Sequence, residues 1–117
     1  MTRARVRTTL GAPGEILNDK WDKRWGALVD IFRYGKTEIV FIEGTVWEVR
    51  TTAARIRTSS GLGVGSTRAQ VRAKLDGEHC FDNRCEIWSG NLGNSRALKF
   101  VFTDDVVSKV RLTYEPD

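Results

Sequence analysis

The 117-residue chain has one histidine, two cysteines and no long apolar run. A helix that crosses a membrane needs about 18 or more consecutive apolar residues, so no helical span is expected. A zinc site draws three or four ligands from Cys, His and carboxylates at workable spacing. Here His79 is the only histidine, and Cys80 and Cys85 have no second Cys/His pair to join. Neither a metal nor a cofactor is therefore expected. Adjacent side chains such as His79 and Cys80 point apart on most backbones, and no carboxylate pair stands at catalytic spacing. With no assembled nucleophile, acid/base pair or metal set, catalysis is not expected. The first ten residues are Arg-rich and lack an apolar stretch, so they do not read as a secretory leader.

What is present is ordinary for a single globular domain: 40% hydrophobic and 29% charged residues. The net charge is +4, with thirteen Arg against six Lys. Residues 1–58 hold 11 Lys+Arg and 7 Asp+Glu, whereas residues 59–117 hold 8 of each. The excess is confined to the first half. Such a half suits either a solvated basic face or nucleic acid.

The strongest signal is internal. Thr2–Leu10 (TRARVRTTL) aligns with Thr67–Leu75 (TRAQVRAKL) at six of nine positions. Ile39–Thr52 (IVFIEGTVWEVRTT) aligns with Phe100–Thr113 (FVFTDDVVSKVRLT) at six of fourteen. Two matches in the same order predict a duplicated unit, with copies at approximately 1–58 and 59–117. Each copy opens with a short helix whose apolar positions, Val6 and Leu10 or Val71 and Leu75, recur at i, i+4. Arg3 and Arg7, or Arg68 and Arg72, point elsewhere. Thr67 with Gln70 forms a capping box; the first copy has Arg5 in place of Gln70 and a weaker cap. Gly11 and Pro13 end the first helix, and Asp76 and Gly77 the second.

Strands follow at Ile31–Tyr34 and Ile87–Trp88, then at Glu38–Ile42 and Leu98–Thr103. Tight turns at Glu43-Gly44 and Asp104-Asp105 lead into Val46–Thr51 and Val106–Thr113. The expected fold is α+β: two similar helix-plus-antiparallel-meander units packed as one domain. Alternation places Phe100, Phe102, Val106, Val110 and Leu112 against the helices, with Ile39, Phe41, Thr45, Val49 and Thr51. The opposite side carries Val40, Ile42, Val46, Val101 and Val107 beside Glu48, Arg50, Lys109 and Arg111. That side is apolar enough to expect either a cover, from a partner or a second copy of the chain, or plain β-propensity.

The first helix and its exit, Met1, Thr2, Val6, Leu10, Gly11 and Pro13, resemble the SmpA/OmlA-like group of small envelope domains. Their pattern is Gly-Met-Thr, a helix with a Val, Leu-Gly-x-Pro, and a sheet. The glycine before Met1 is missing. The second copy has Ser66 where Met is usual and lacks Leu-Gly-x-Pro. A tandem pair of such units is similar to the β-lactamase inhibitory protein-like arrangement. The resemblance implies a small helix-plus-sheet fold and a non-enzymatic binding role.

Three features remain. The segment Gly61-Leu-Gly-Val-Gly-Ser-Thr67 has neither the Lys-Ser/Thr ending of a P-loop nor Gly-x-Gly-x-x-Gly spacing. It reads as a lead-in to the second helix, although backbone amides there suit an anion. Cys80 and Cys85 read as a local disulfide, which would favour an extracytoplasmic setting, or as two free thiols in the cytoplasm. Trp21 and Trp25 would share a helix face with Leu28. With Lys20, Lys23 and Arg24 they form the candidate recognition surface. A protein partner is the leading expectation. A nucleic-acid role for Arg3, Arg7, Lys20, Lys23 and Arg24 is the alternative, and a small-molecule pocket beside Trp21 and Trp25 a third.

Overall fold

The computed structural model describes residues 1–74, 80–89 and 95–115. The chain divides into two compact units, Met1–Val49 and Arg50–Asp117. The first opens with helix α1 (Arg3–Leu10). Strands β1 (Glu15–Asp22), β2 (Ala27–Tyr34), β3 (Thr37–Ile42) and β4 (Thr45–Thr51) follow, β4 running past the boundary. The second contains α2 (Arg68–Lys74), β5 (Cys80–Phe81), β6 (Arg84–Ser89), β7 (Ser95–Thr103) and β8 (Val106–Glu115).

The expected α+β fold of two duplicated helix-plus-meander units is overturned. The strands form an eight-stranded antiparallel sheet, against which the described residues offer only two helices, of 8 and 7 residues. The reason lies outside the matched sequence blocks. The segment around Trp21 and Trp25 is not a helix. Strand β1 pairs antiparallel with β2, and a turn closes with Gly26 N donating to Asp22 O at 2.8 Å. In the second unit β5 adds a further short strand against β6. The helices are too short to set the class: Val6 and Val71 are their buried residues.

In the first unit, Val6 packs with Phe32, Ile39 and Phe41, and with half-buried Tyr34, Val46 and Val49. Leu10, expected beside Val6, is exposed. Gly11 adopts φ +83° and turns the chain away after two helical turns; its carbonyl accepts from the Tyr34 hydroxyl at 2.9 Å. The opposite side of these strands holds a second cluster, Val29, Ile31 and Val40 with Leu17, Trp25 and Ile42. Val40 is therefore packed among residues of its own unit.

In the second unit, Val71 packs with Leu62, Cys85, Phe100, Phe102 and Val107. Val107 was expected on the other side. The turn behaves as anticipated, with positive φ at Asp104 (51°) and Asp105 (61°). However, the register shifts after Phe102↔Val107, so that Val101 faces Lys109 and Phe100 faces Val110. This bulge at Ser108 reverses the alternation, bringing Val107 inward and leaving Val106 exposed. Val46, likewise expected outward, lies in the helix-side cluster of the first unit.

The helix starts attach similarly to the strands. Val46 N donates to Met1 O at 2.9 Å, and Val107 N to Ser66 O at 2.8 Å. Thr67 forms the full capping box: its Oγ1 accepts from Gln70 N at 3.1 Å, and its N donates to Gln70 Oε1 at 2.9 Å. Thr2 caps α1 only through Arg5 N, at 3.3 Å. The residues Leu75, Asp76, Gly77, Glu78 and His79 lie outside the described residues.

Candidate functional site

The expected surface of Lys20, Trp21, Lys23, Arg24 and Trp25 does not form one face. Trp21 pairs directly with Leu28 across β1 and β2, and both are exposed, at 65% and 56%. Lys20 pairs with Val29 and so lies on the opposite side of the sheet. Trp25 is half-buried in the cluster of Val29, Ile31 and Val40 and meets Trp47 edge-on at 5.4 Å between ring centroids. Arg24 lies 4.8 Å over the Trp25 ring and pairs with the fully buried Glu48 at 2.6 Å. Arg24 and Trp25 thus serve the packing of the first unit, leaving Trp21, Leu28 and Lys23 at its surface. Arg3 is also engaged, with Asp30 at 3.3 Å, and Arg3 and Arg7 both stack over Phe32. At the surface, Glu38 and then Glu15 hold the Arg33 guanidinium above its ordinary pKa through hydrogen bonds.

A second aromatic cluster lies on the helix-free face of the second unit. Register places Arg84, Glu86 and Trp88 of β6 beside Val101, Lys99 and Ala97 of β7, and these beside Lys109, Arg111 and Thr113 of β8. Glu86 is 8% exposed, and its carboxylate accepts from Trp88 Nε1 at 3.1 Å and pairs with Arg84 Nε at 3.0 Å. The Lys99 ammonium lies 5.7 Å from the Trp88 ring centroid. Arg84 in turn lies 5.4 Å over Phe81, its partner across β5 and β6. Trp88 and Phe81 remain 47% and 55% exposed. One buried carboxylate thus fixes an Arg and a Trp on regular strands, an arrangement that lowers the ordering entropy lost on binding. In the sequence Trp88 marks only a strand. Its signal was available in the alternation: once Cys85 faces the core, Arg84, Glu86 and Trp88 must face away.

Cys80 and Cys85 form a disulfide and stand opposite one another across β5 and β6. Their sulfurs are committed to each other, and Cys85 is fully buried beside Phe100. The glycine-rich segment forms no backbone phosphate cradle. Gly61 N donates to Thr58 O, Gly63 N to Ser66 Oγ, and Gly65 N to Val107 O. Gly63 is required by close approach, because a Cβ there would lie 2.6 Å from Ile56 O.

No protein-family model and no curated protein matches this chain. Among solved structures it is similar to an extracellular protein containing an SCP domain from Bacillus anthracis str. Ames, at a TM-score of 0.59 and 12% identity. The match covers 96% of this chain and 42% of that one. At that identity the likeness is one of fold. Among the described residues no helix is long and apolar enough to cross a membrane.

Proposed function

We propose that this chain is a non-catalytic protein-binding domain that works outside the cytoplasm, and that Trp88 anchors its partner. The observation that carries this reading is the Trp88–Glu86–Arg84 cluster with Lys99 over the ring: an exposed, pre-set Trp/Arg pair is what binding hot spots use. The extracytoplasmic part rests on the Cys80–Cys85 disulfide, on the resemblance of Met1–Pro13 to SmpA/OmlA-like envelope domains, and on the fold shared with part of an extracellular protein. The nucleic-acid alternative draws less support, because Arg3, Arg7 and Arg24 are occupied within the first unit.

The test is capture of partners by the immobilised chain from an extracytoplasmic extract, with Trp88→Ser as the control. The reading expects a captured protein whose affinity falls by about tenfold or more in Trp88→Ser, as for a hot-spot residue, with the thermal midpoint unchanged. Capture that is indifferent to Trp88, or binding to random DNA whose affinity falls steeply with salt, would overturn it.

A further inference from the structure

Beside the glycine-rich segment, the second unit contains a recess of about 390 Å³. Among the described residues its lining includes Arg57, Ser60, Ser66, Gln70 and Lys74 and no carboxylate. We propose that this recess binds an oxyanion of the phosphate or sulfate type, held by side chains rather than by the glycine amides, which are already spent inside the protein. The site is separate from the Trp88 surface and does not depend on that reading.

Ser66 carries the argument. It is 5% exposed, and its Oγ accepts from both Gly63 N and Arg57 NH1, each at 3.1 Å. A hydroxyl oxygen has two acceptor positions and one proton to donate. With both acceptor positions filled, the proton is left to donate, and it has no acceptor among the described residues. A buried donor without an acceptor is costly, and an oxyanion oxygen in the recess supplies one.

The other groups converge in the same sense. Arg57 NH1 is anchored by Ser66 Oγ and by Gly61 O at 3.4 Å. This fixes the planar guanidinium and leaves its remaining N–H groups to bind, with no carboxylate partner among the described residues. Gln70 spends its Oε1 on Thr67 N, so its NH2 is the part left to donate. Lys74 adds a second positive charge with no ion pair among the described residues. The lining side chains thus supply cations and spare donors, which suit a small multivalent anion and disfavour a cation or an apolar ligand.

The test is titration of the full chain with inorganic phosphate and with sulfate, at constant ionic strength made up with chloride, followed by amide NMR. Saturable shifts centred on Gly65 and Ser66 are expected, with a dissociation constant on the order of millimolar. Loss of one charge-assisted hydrogen bond in Lys74→Ala should weaken binding roughly tenfold. Lys74 is exposed, so the fold should be retained; Ser66→Ala provides the second variant. Shifts for one of the two anions alone would assign the site to that anion. Shifts that chloride reproduces, that never saturate, or that survive undiminished in both variants would overturn the proposal.

Discussion

The two units share their order, a short helix followed by antiparallel strands, yet they treat the helix-free side of the sheet in opposite ways. In the first unit that side is a second core, where Trp25 packs with Val29, Ile31 and Val40. In the second unit it is a layer of Arg84, Glu86, Trp88, Lys99, Lys109 and Arg111. Each arrangement includes a buried carboxylate bonded to an arginine: Glu48 with Arg24 in one, Glu86 with Arg84 in the other. In the first, the arginine presses Trp25 into the protein; in the second, the carboxylate holds Trp88 at the surface. The same local chemistry closes one face and leaves an Arg and a Trp presented on the other.

The sharpest way to break this comparison is at the two central aromatics. Phe32 and Phe100 are fully buried, and Phe32→Ala or Phe100→Ala should each cost about 3–5 kcal/mol in denaturant unfolding. If only one did so, the units would not be comparably packed. Next in size is the arginine contrast. Arg24→Ala deprives a fully buried carboxylate of a partner and should cost about 2 kcal/mol, discounted because Arg24 is itself 36% exposed. Arg84→Ala, at a 53% exposed side chain, should cost less than about 1 kcal/mol. Equal losses would remove the distinction between a packing arginine and a surface one.

Reduction of Cys80–Cys85 should lower stability by about 2 kcal/mol, as expected for a short closed loop, and in amide exchange the effect should concentrate in the second unit. The smallest contrast is at the helix starts. Thr67→Ala loses the 3.1 Å bond that Oγ1 accepts from Gln70 N, while the backbone N–H of residue 67 still donates to Gln70 Oε1, and should cost about 1 kcal/mol; Thr2→Ala, which loses the longer 3.3 Å bond from Arg5 N, should cost less. Thermal midpoints of the two variants, measured side by side, give the order.

Much of this was legible in the residues. The turns at Glu43-Gly44 and Asp104-Asp105 and the stronger cap at Thr67 follow from local chemistry, because each depends on residues a few positions apart; the spacing of Cys80 and Cys85 allows a local disulfide but leaves free thiols open, and the cross-strand pairing decides for the bond. The repeated sequence blocks mark a repeated attachment, Val46 N to Met1 O and Val107 N to Ser66 O, rather than a duplicated α+β fold. The sheet-dominated class was hidden because Trp21 and Trp25 fit a helix as well as a strand and a turn. Only pairing with Leu28 and its neighbours, a non-local fact, decides between them. Face assignment failed at Val107 because a single bulged residue, Ser108, reverses a period of two, and alternation alone gives no sign of it. For a related reason Trp88 marks a strand in the sequence but not a face: only the register, Cys85↔Phe100 and Trp88↔Ala97, shows that it points away from the helix-side core.

Oxidative footprinting of the four tryptophans in the free chain, read by mass spectrometry, tests the contrast between the two faces most directly. Trp21 and Trp88 should react readily, while half-buried Trp25 and Trp47, packed edge-on against one another, should be protected several-fold. A protected Trp88 beside a reactive Trp25 would contradict the assignment of the closed face to the first unit and the open one to the second.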